Sequence, residues 1–297
     1  MMIDAQFIAS VDKYISNRGN NSSTNFDEPL RLFAMKYTEP TAFEATVYEP
    51  VTCMILQGAK EAVFDGKTCR SEAGQSFIVS HNLPIISRIT KASEQEPYLA
   101  LVVPIDLSIL LSLHGQIIGH GASTSEVTSL GMQKADDDFI DAMRRYFMLS
   151  QDETEANVMG PLILKELHFR LLRARHGGML RQLLNRDSHA SRISKAIAEI
   201  KKSFKTQIAI NDLANIAGMS ASSFHEHFKS ITATSPLQYQ KELRLMEARR
   251  LIAQGDISIS SAAFEVGYES PTQFTREYTR KFGASPRNDL GRIVIMV

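Results

Sequence analysis

The chain has 297 residues, enough for two domains with separate cores, and an ordinary globular composition of 43% hydrophobic and 22% charged residues. It holds no apolar run long enough to span a bilayer, and its start, MMIDAQFIASVDKY, lacks the basic-then-apolar order of a secretion signal, so neither membrane insertion nor export is expected. A formal net charge of zero conceals an asymmetry: from Ser191 onward there are 15 Lys+Arg against 10 Asp+Glu, the preceding part carries the matching acidic excess, and only the C-terminal part suits a polyanion.

The apolar positions Phe7, Ile8, Val11 and Ile15 predict an amphipathic helix over 4–17, ended by the polar run from Arg18 to Ser23. From about 29 to 104 the period changes. Short β-prone runs at 52–57, 59–64, 67–70, 76–80, 85–90 and 98–103 alternate with turns at Asp65-Gly66, Glu72 to Gln75 and Asn82-Leu83-Pro84. Asp-Gly between two strands is a hairpin signal, because both central turn positions want positive φ. Many short strands at this spacing predict an antiparallel β-barrel or a double-sheet jelly roll, a shape that can enclose a small molecule.

Residues 106–184 read as mostly helical, opening at Asp106 as N-cap. A glycine- and serine-rich stretch from His114 to Gly131 is expected to loop over the barrel. Helices resume after Asp136-Asp137-Asp138 and again after Gly160-Pro161. The segment Leu162 to Leu172 is apolar on more than one face, so it must pack on the barrel, on a neighbouring helix or on a second copy of the chain. Gly177-Gly178 breaks the pattern. Polar residues 185–190 form the expected linker between a first domain, 1–184, and an all-helical second domain, 191–297.

The second domain carries one message twice. Leu213-Ala214 through Gly218-Met219-Ser220 and then Phe224 and Phe228 is answered by Ala262-Ala263 through Gly267-Tyr268-Glu269-Ser270 and then Phe274 and Tyr278. Each copy is a short helix, a glycine turn and a second helix, the helix-turn-helix pattern. Ser220 and Ser270 are the expected N-caps of the two recognition helices, with Pro271 at the first position of the second. With the aromatic stripe facing inward, the opposite faces present Ser222, Ser223, His225 and Glu226, and Thr272, Gln273, Thr275 and Arg276, as base readers. Ser220, Lys229, Ser270, Arg280 and Lys281 are placed for phosphates. A helix from Pro236 to Gln254 joins the copies. Its length of roughly 28 Å, at about 1.5 Å per residue, is slightly under the roughly 34 Å turn of B-DNA, so one chain could reach two successive major grooves.

These residues also carry a resemblance. Residues 191–297 resemble the DNA-binding domain of AraC/XylS-type transcription regulators, through Gly218-Met219-Ser220, Ser235-Pro236-Leu237-Gln238-Tyr239, Leu243 to Leu251, Val266-Gly267-Tyr268-Glu269-Ser270 and Phe282-Gly283-Ala284-Ser285-Pro286. Residues 29–110 are similar to the AraC-like type II N-terminal domain, at Pro50-Val51, Gln57-Gly58, Ser80 with Leu83-Pro84, and Glu96 to Leu101. The resemblance implies a cupin-like ligand-sensing barrel, promoter double-stranded DNA and RNA polymerase as partners, and no cofactor. Two positions depart from the family and from the internal repeat: Glu226 stands opposite Arg276, and Ala233 opposite Gly283. A carboxylate near phosphates repels, unless it accepts from cytosine N4. Glycine suits a left-handed helix end, and alanine strains it.

Other candidate sites are weaker. His81 lacks the companions of a cupin metal set. His225 and His227 point to different faces of a helix, and His114 and His120 have no nearby carboxylate or cysteine. Cys53 and Cys69 are too few for a disulfide framework; on strands they are core residues, or thiols that sense an oxidant or electrophile. The expectation is a cytoplasmic, ligand-responsive, non-enzymatic DNA-binding regulator with a candidate homodimer surface around 162–172. The alternatives are a cupin enzyme with a DNA-targeting module and a constitutive DNA-binding protein whose barrel only dimerises.

Overall fold

The computed structural model describes residues 3–18, 24–64, 66–117, 129–185, 187–255 and 257–289. Most of the 18–23 run, Asp65, most of the 114–131 loop with His120, and Asp256 lie outside them. The chain divides into two compact units, Met1–Phe43 with Tyr48–Asn82 and Ser87–Arg186, and Glu44–Val47 with Leu83–Ile86 and Asp187–Val297. Among the described residues no helix is long and apolar enough to cross a membrane, and no cluster of His, Cys, Asp or Glu could hold a metal ion.

Helix α1 (Ala5–Asn17) opens on Asp4, whose carboxylate accepts from Gln6 N at 3.0 Å, and buries Phe7, Val11 and Ile15. Among the described residues ten strands follow in chain order: β1 (Thr24–Asp27), β2 (Leu32–Tyr37), β3 (Glu44–Tyr48), β4 (Val51–Gln57), β5 (Ala59–Phe64), β6 (Lys67–Glu72), β7 (Gln75–Val79), β8 (Leu83–Lys91), β9 (Tyr98–Pro104) and, later, β10 (Leu130–Lys134). They form a six-stranded sheet, β1-β2-β9-β4-β7-β10, antiparallel throughout, and a four-stranded sheet, β3-β8-β5-β6.

The closed barrel among the expectations is therefore corrected to two sheets. The chain leaves one for the other between β4 and β5 at Gly58, which has φ 81°. A Cβ at Gly58 would lie 2.4 Å from the Lys91 carbonyl oxygen, so only glycine fits this crossing. The hairpin expected at Asp65-Gly66 is present: Phe64 pairs with Lys67, and Gly66 has φ 68°. The turn expected at Asn82-Leu83-Pro84 is corrected, because β8 already starts at Leu83. Pro84 sits near the strand's beginning, where a missing N–H is tolerated.

After β9 come α2 (Leu107–Ile117), the edge strand β10, α3 (Asp137–Met148), α4 (Glu153–Arg173) and α5 (Gly178–Leu184). Asp106 caps α2, accepting from Ser108 N at 2.8 Å. Helix α4 continues through Gly160-Pro161, where the sequence suggested a fresh start. Proline removes one helical hydrogen bond and crowds the residue before it; that residue is glycine, which relieves the crowding. Gly160 itself rests against Leu30.

The remaining elements are all helical: α6 (His189–Ser203), α7 (Ile210–Ala217), α8 (Ala221–Thr232), α9 (Pro236–Gln254), α10 (Ile259–Glu265), α11 (Pro271–Phe282) and α12 (Pro286–Asp289). Helix α6 packs on α7, α8 and α9, while α10 and α11 pack on α9, so α9 serves both halves. One core centres on Phe224, Phe228 and Tyr239, with Phe228 and Tyr239 rings edge-to-face at 5.5 Å. The other gathers Leu245, Ala248, Ile252, Ala262, Val266, Phe274 and Tyr278.

Candidate nucleic-acid interface

The two repeats fold alike. Ser220 Oγ accepts from Ser223 N and Ser270 Oγ from Gln273 N, each at 3.3 Å, so both recognition helices, α8 and α11, begin at the expected caps. Phe224 and Phe228, and Phe274 and Tyr278, are fully buried, which turns the opposite face of each helix outward. On α8 that face presents Ser222, His225, Glu226 and Lys229, all exposed, with Ser223 half-buried. On α11 it presents Thr272, Gln273, Arg276 and Arg280, all exposed. Arg276 and Glu226 make no hydrogen bond or ion pair among the described residues.

Three expected contact residues are already engaged within the fold. Thr275 Oγ1 donates to Pro271 O at 2.9 Å. Gln273 Nε2 donates to Glu277 Oε1 at 3.3 Å. Lys281 Nζ lies 3.3 Å from Glu242 Oε2 with both side chains largely buried, so its charge ties α11 to α9.

Behind α11 lies a polar cluster. Glu277, 7% exposed, accepts from Tyr268 at 2.9 Å and Lys241 at 3.1 Å besides Gln273. Burial pushes this carboxyl upward, and the three donors outweigh burial and hold it below the ordinary range. Asp289 is likewise buried, accepting from Tyr278 at 2.7 Å and Arg249 at 2.8 Å, which pins α12 beneath the recognition helix.

The halves are locked to each other by backbone carbonyls. Arg244, midway along α9, donates to Phe204 O at 2.6 Å, Thr206 O at 2.8 Å and Gly267 O at 2.8 Å. Gln240 Nε2 donates to the first two of these as well. Gly267 has φ 89°, and a Cβ there would lie 1.9 Å from Lys205 O, so the second turn abuts the end of α6 without room for a side chain. At the end of α8, Ala233 holds the left-handed geometry of its glycine counterpart: φ is 62° at Ala233 and 73° at Gly283. Buried Thr232 steadies that corner, its hydroxyl donating to Phe228 O at 2.8 Å and Thr234 O at 3.0 Å.

In the first unit, the interior faces of both sheets converge on polar groups. Tyr37 and Tyr98 stand opposite each other on β2 and β9, and Cys53 stands opposite Phe77 on β4 and β7. Lys60 of β5 reaches Tyr48 of β3, donating to its oxygen at 2.5 Å, and Tyr48 also meets Ser87 of β8 at 3.2 Å. Burial weighs against the charge on Lys60; the oxygens of Tyr48 and Tyr37 and the Cys53 sulfur outweigh it and hold its pKa above the ordinary value. Burial pushes the Cys53 thiol up to about 12, so Cys53 is a protonated, unreactive core thiol at neutral pH. Cys69 lies on β6 in the other sheet, opposite Ala62. His81 is buried with Ser80 and Ser129 hydroxyls against its Nδ1, at 2.9 and 3.2 Å.

A family described as the AraC-type transcriptional regulator N-terminus matches residues 30–179, half of the chain, and a helix-turn-helix domain family matches residues 213–291. The chain belongs to the AraC-type transcriptional regulators. Among curated proteins, this AraC-type chain is 33% identical to the HTH-type transcriptional regulator ExsA of Pseudomonas aeruginosa over 108 residues, 36% of the chain and 37% of ExsA. It is 28% identical to the HTH-type transcriptional activator RhaS of Escherichia coli over 104 residues, 35% of the chain and 37% of RhaS. The matched stretches thus span little more than a third of these relatives. Its fold is similar to that of ToxT from Vibrio cholerae, solved with an unsaturated fatty acid bound, at a TM-score of 0.60 and 14% identity over 93% of this chain and 98% of ToxT.

Several residues of the AraC-type regulator that shape the interface escape sequence reasoning: Arg244, Gln240, Glu277 and Thr232. Glu277 breaks the polar–apolar stripe of α11 by facing inward, and only its neighbours Tyr268 and Lys241, distant in sequence, explain it. Arg244 falls inside the motif Leu243 to Leu251 that carried the resemblance, but nothing in that motif says the arginine aims at carbonyls.

Proposed function

We propose that the chain is a transcription regulator that binds promoter DNA through residues 191–297 and answers to a small molecule held by residues 1–184, with 185–190 as the linker. The observation that carries this reading is the pair of serine-capped helices, α8 and α11, whose backs are buried and whose polar faces are exposed. Ser222, Ser223, His225 and Glu226 on α8, and Thr272, Gln273, Thr275 and Arg276 on α11, meet base edges; Ser223 and Thr275 are the least exposed and Arg276 the strongest reader. Ser220, Lys229, Ser270 and Arg280 meet phosphates, and Lys281 contributes charge from behind its bond with Glu242.

The sheet interior supplies the sensing site, a reading supported by the fatty acid bound in ToxT. Cys53 and Cys69 line or adjoin it as packing groups rather than reactive thiols in this reading. Val158, Met159 and Leu162 are exposed on α4 and offer a homodimer surface, and RNA polymerase is the further protein partner. The setting is the cytoplasm, and no catalytic role is assigned. Selection of binding sites from random DNA by the full chain tests the reading. The expected product is a site with two halves about one helical turn apart; a pool that enriches no sequence would sink it.

A further inference from the structure

A buried ammonium is normally matched by a carboxylate or by several hydrogen bonds, and left alone it is among the costliest groups to enclose. Lys60 is enclosed in this way. It is 6% exposed, donates to the Tyr48 oxygen at 2.5 Å and lies 5.2 Å from the centroid of that ring. Among the described residues no carboxylate reaches it. Its neighbour along β5, Glu61, pairs with Arg88 at 2.5 Å. An ammonium has three donors, and one is used. The groups that face it, Tyr37, Tyr48 and Cys53, are phenols and a thiol, not carboxylates. The protein therefore brings a positive charge between its sheets with no carboxylate beside it among the described residues.

We propose that Lys60 anchors the carboxylate of a small organic acid, seated on its Nζ and on the Tyr48 hydroxyl, with the acid's apolar body against the rings of Tyr37, Phe77 and Tyr98. This rests on the reading that the sheet interior is the sensing site. The chemistry favours a carboxylate over a phosphate. One cation balances one negative charge, whereas a phosphate dianion asks for a second cation or an arginine fork. The rings around Lys60 are apolar surfaces: Tyr37 and Tyr98 lie 6.3 Å apart, and Tyr48 and Phe77 lie 6.4 Å apart, each pair close to edge-on.

The test uses the full chain and four probes, octanoate and benzoate against octanol and benzamide, with binding read by tyrosine fluorescence; the chain has no tryptophan to mask it. The acids are expected to bind saturably and at least about tenfold more tightly than their neutral counterparts, as a charge-assisted hydrogen bond implies. Lys60→Met is expected to lose about 10–100-fold for the acids and nothing for the neutral probes. Without ligand it should unfold at the same or a higher temperature, because an apolar side chain replaces an unmatched buried charge. Lys60→Arg keeps the charge and should keep the preference for acids, which guards against a Met variant that fails to fold. Equal affinity for acids in wild type and Lys60→Met, neutral probes as tight as acids, or no saturable binding of either acid overturns the proposal. DNA selection on the same preparations separates the two readings. A chain that enriches its DNA and binds no acid removes this inference alone; one that binds acids and enriches no DNA removes the regulatory reading alone.

Discussion

Ala233 offers a direct test of how the two halves of the second unit are joined. It is one of two non-glycine residues with positive φ among the described residues, and it ends the first recognition helix in the left-handed region. For an L-residue that region costs roughly 1–2 kcal/mol. Glycine avoids the cost but loses roughly 0.4–1 kcal/mol more than alanine through its freer unfolded chain. Ala233→Gly should therefore stabilise the α8–α9 corner by about 0.5–1 kcal/mol. The Ala233 N–H already donates to Lys229 O at 2.8 Å, as Gly283 N–H does to Thr279 O at 2.9 Å, so no hydrogen bond changes in either place. The mirror substitution, Gly283→Ala, should cost about as much as the first one gains. A Cβ at Gly283 meets nothing within 4 Å, which leaves backbone strain as the only term. Amide hydrogen exchange in the full chain reads local opening at each corner. Slower exchange at the end of α8 in Ala233→Gly, by about two- to fivefold, and faster exchange at the end of α11 in Gly283→Ala are the expected results. Two shifts of the same sign would refute the account of strain at residue 233.

Arg276→Ala should weaken binding to the selected site by roughly 1–3 kcal/mol and relax specificity at one base pair, measured by fluorescence anisotropy on cognate and substituted duplexes. Equal losses on cognate and random DNA would instead make Arg276 a phosphate contact. Glu226→Arg should tighten nonspecific binding and steepen the dependence of log affinity on log salt by about 1; an unchanged slope would place Glu226 away from the duplex. Burial lowers His176 from its usual 6.5 to about 4, with Ser76 Oγ at 3.1 Å from its Nε2. The unfolded chain takes up this proton from about pH 6.5 downward while the folded chain resists it until about pH 4, so stability should fall across that window by on the order of 3 kcal/mol. Urea midpoints along a pH series should show this slope, and His176→Phe should flatten it; an equal slope in the variant would remove His176 as the cause.

Much of the helix-turn-helix geometry was legible because its signals are local. Each recognition helix announces itself through a serine cap, a glycine turn and an aromatic pair one turn apart, and the duplication checks one copy against the other. The six strands between Thr52 and Val103 were legible through β-prone runs and intervening turns. Strand β10 was not. Its Leu-Gly-Met-Gln-Lys sequence has little β preference and forms a strand because β7 offers a free edge, with Gly131 against Ile78 and Met132 against Phe77. The passage of α4 through Gly160-Pro161 was hidden for the opposite reason, since packing overrode a local break signal. Lys60 reads in sequence as an ordinary polar residue on an alternating strand. Its burial is decided by the opposite sheet, which no period within β5 encodes.

The carbonyls of the stretch Phe204–Thr206 hold Arg244 and Gln240 and leave no room beside Gly267. The consequence is metrological. With the end of α6 fastened both to the connecting helix and to the second turn, the second unit behaves as a caliper of fixed opening rather than two hands on a cord. One extra base pair between half-sites displaces the second by about 3.4 Å and rotates it by about 35° around the duplex axis, given 10–10.5 pairs per turn. A caliper cannot follow that rotation, so on the proposed reading the phase between half-sites should be measured as strictly as the bases themselves.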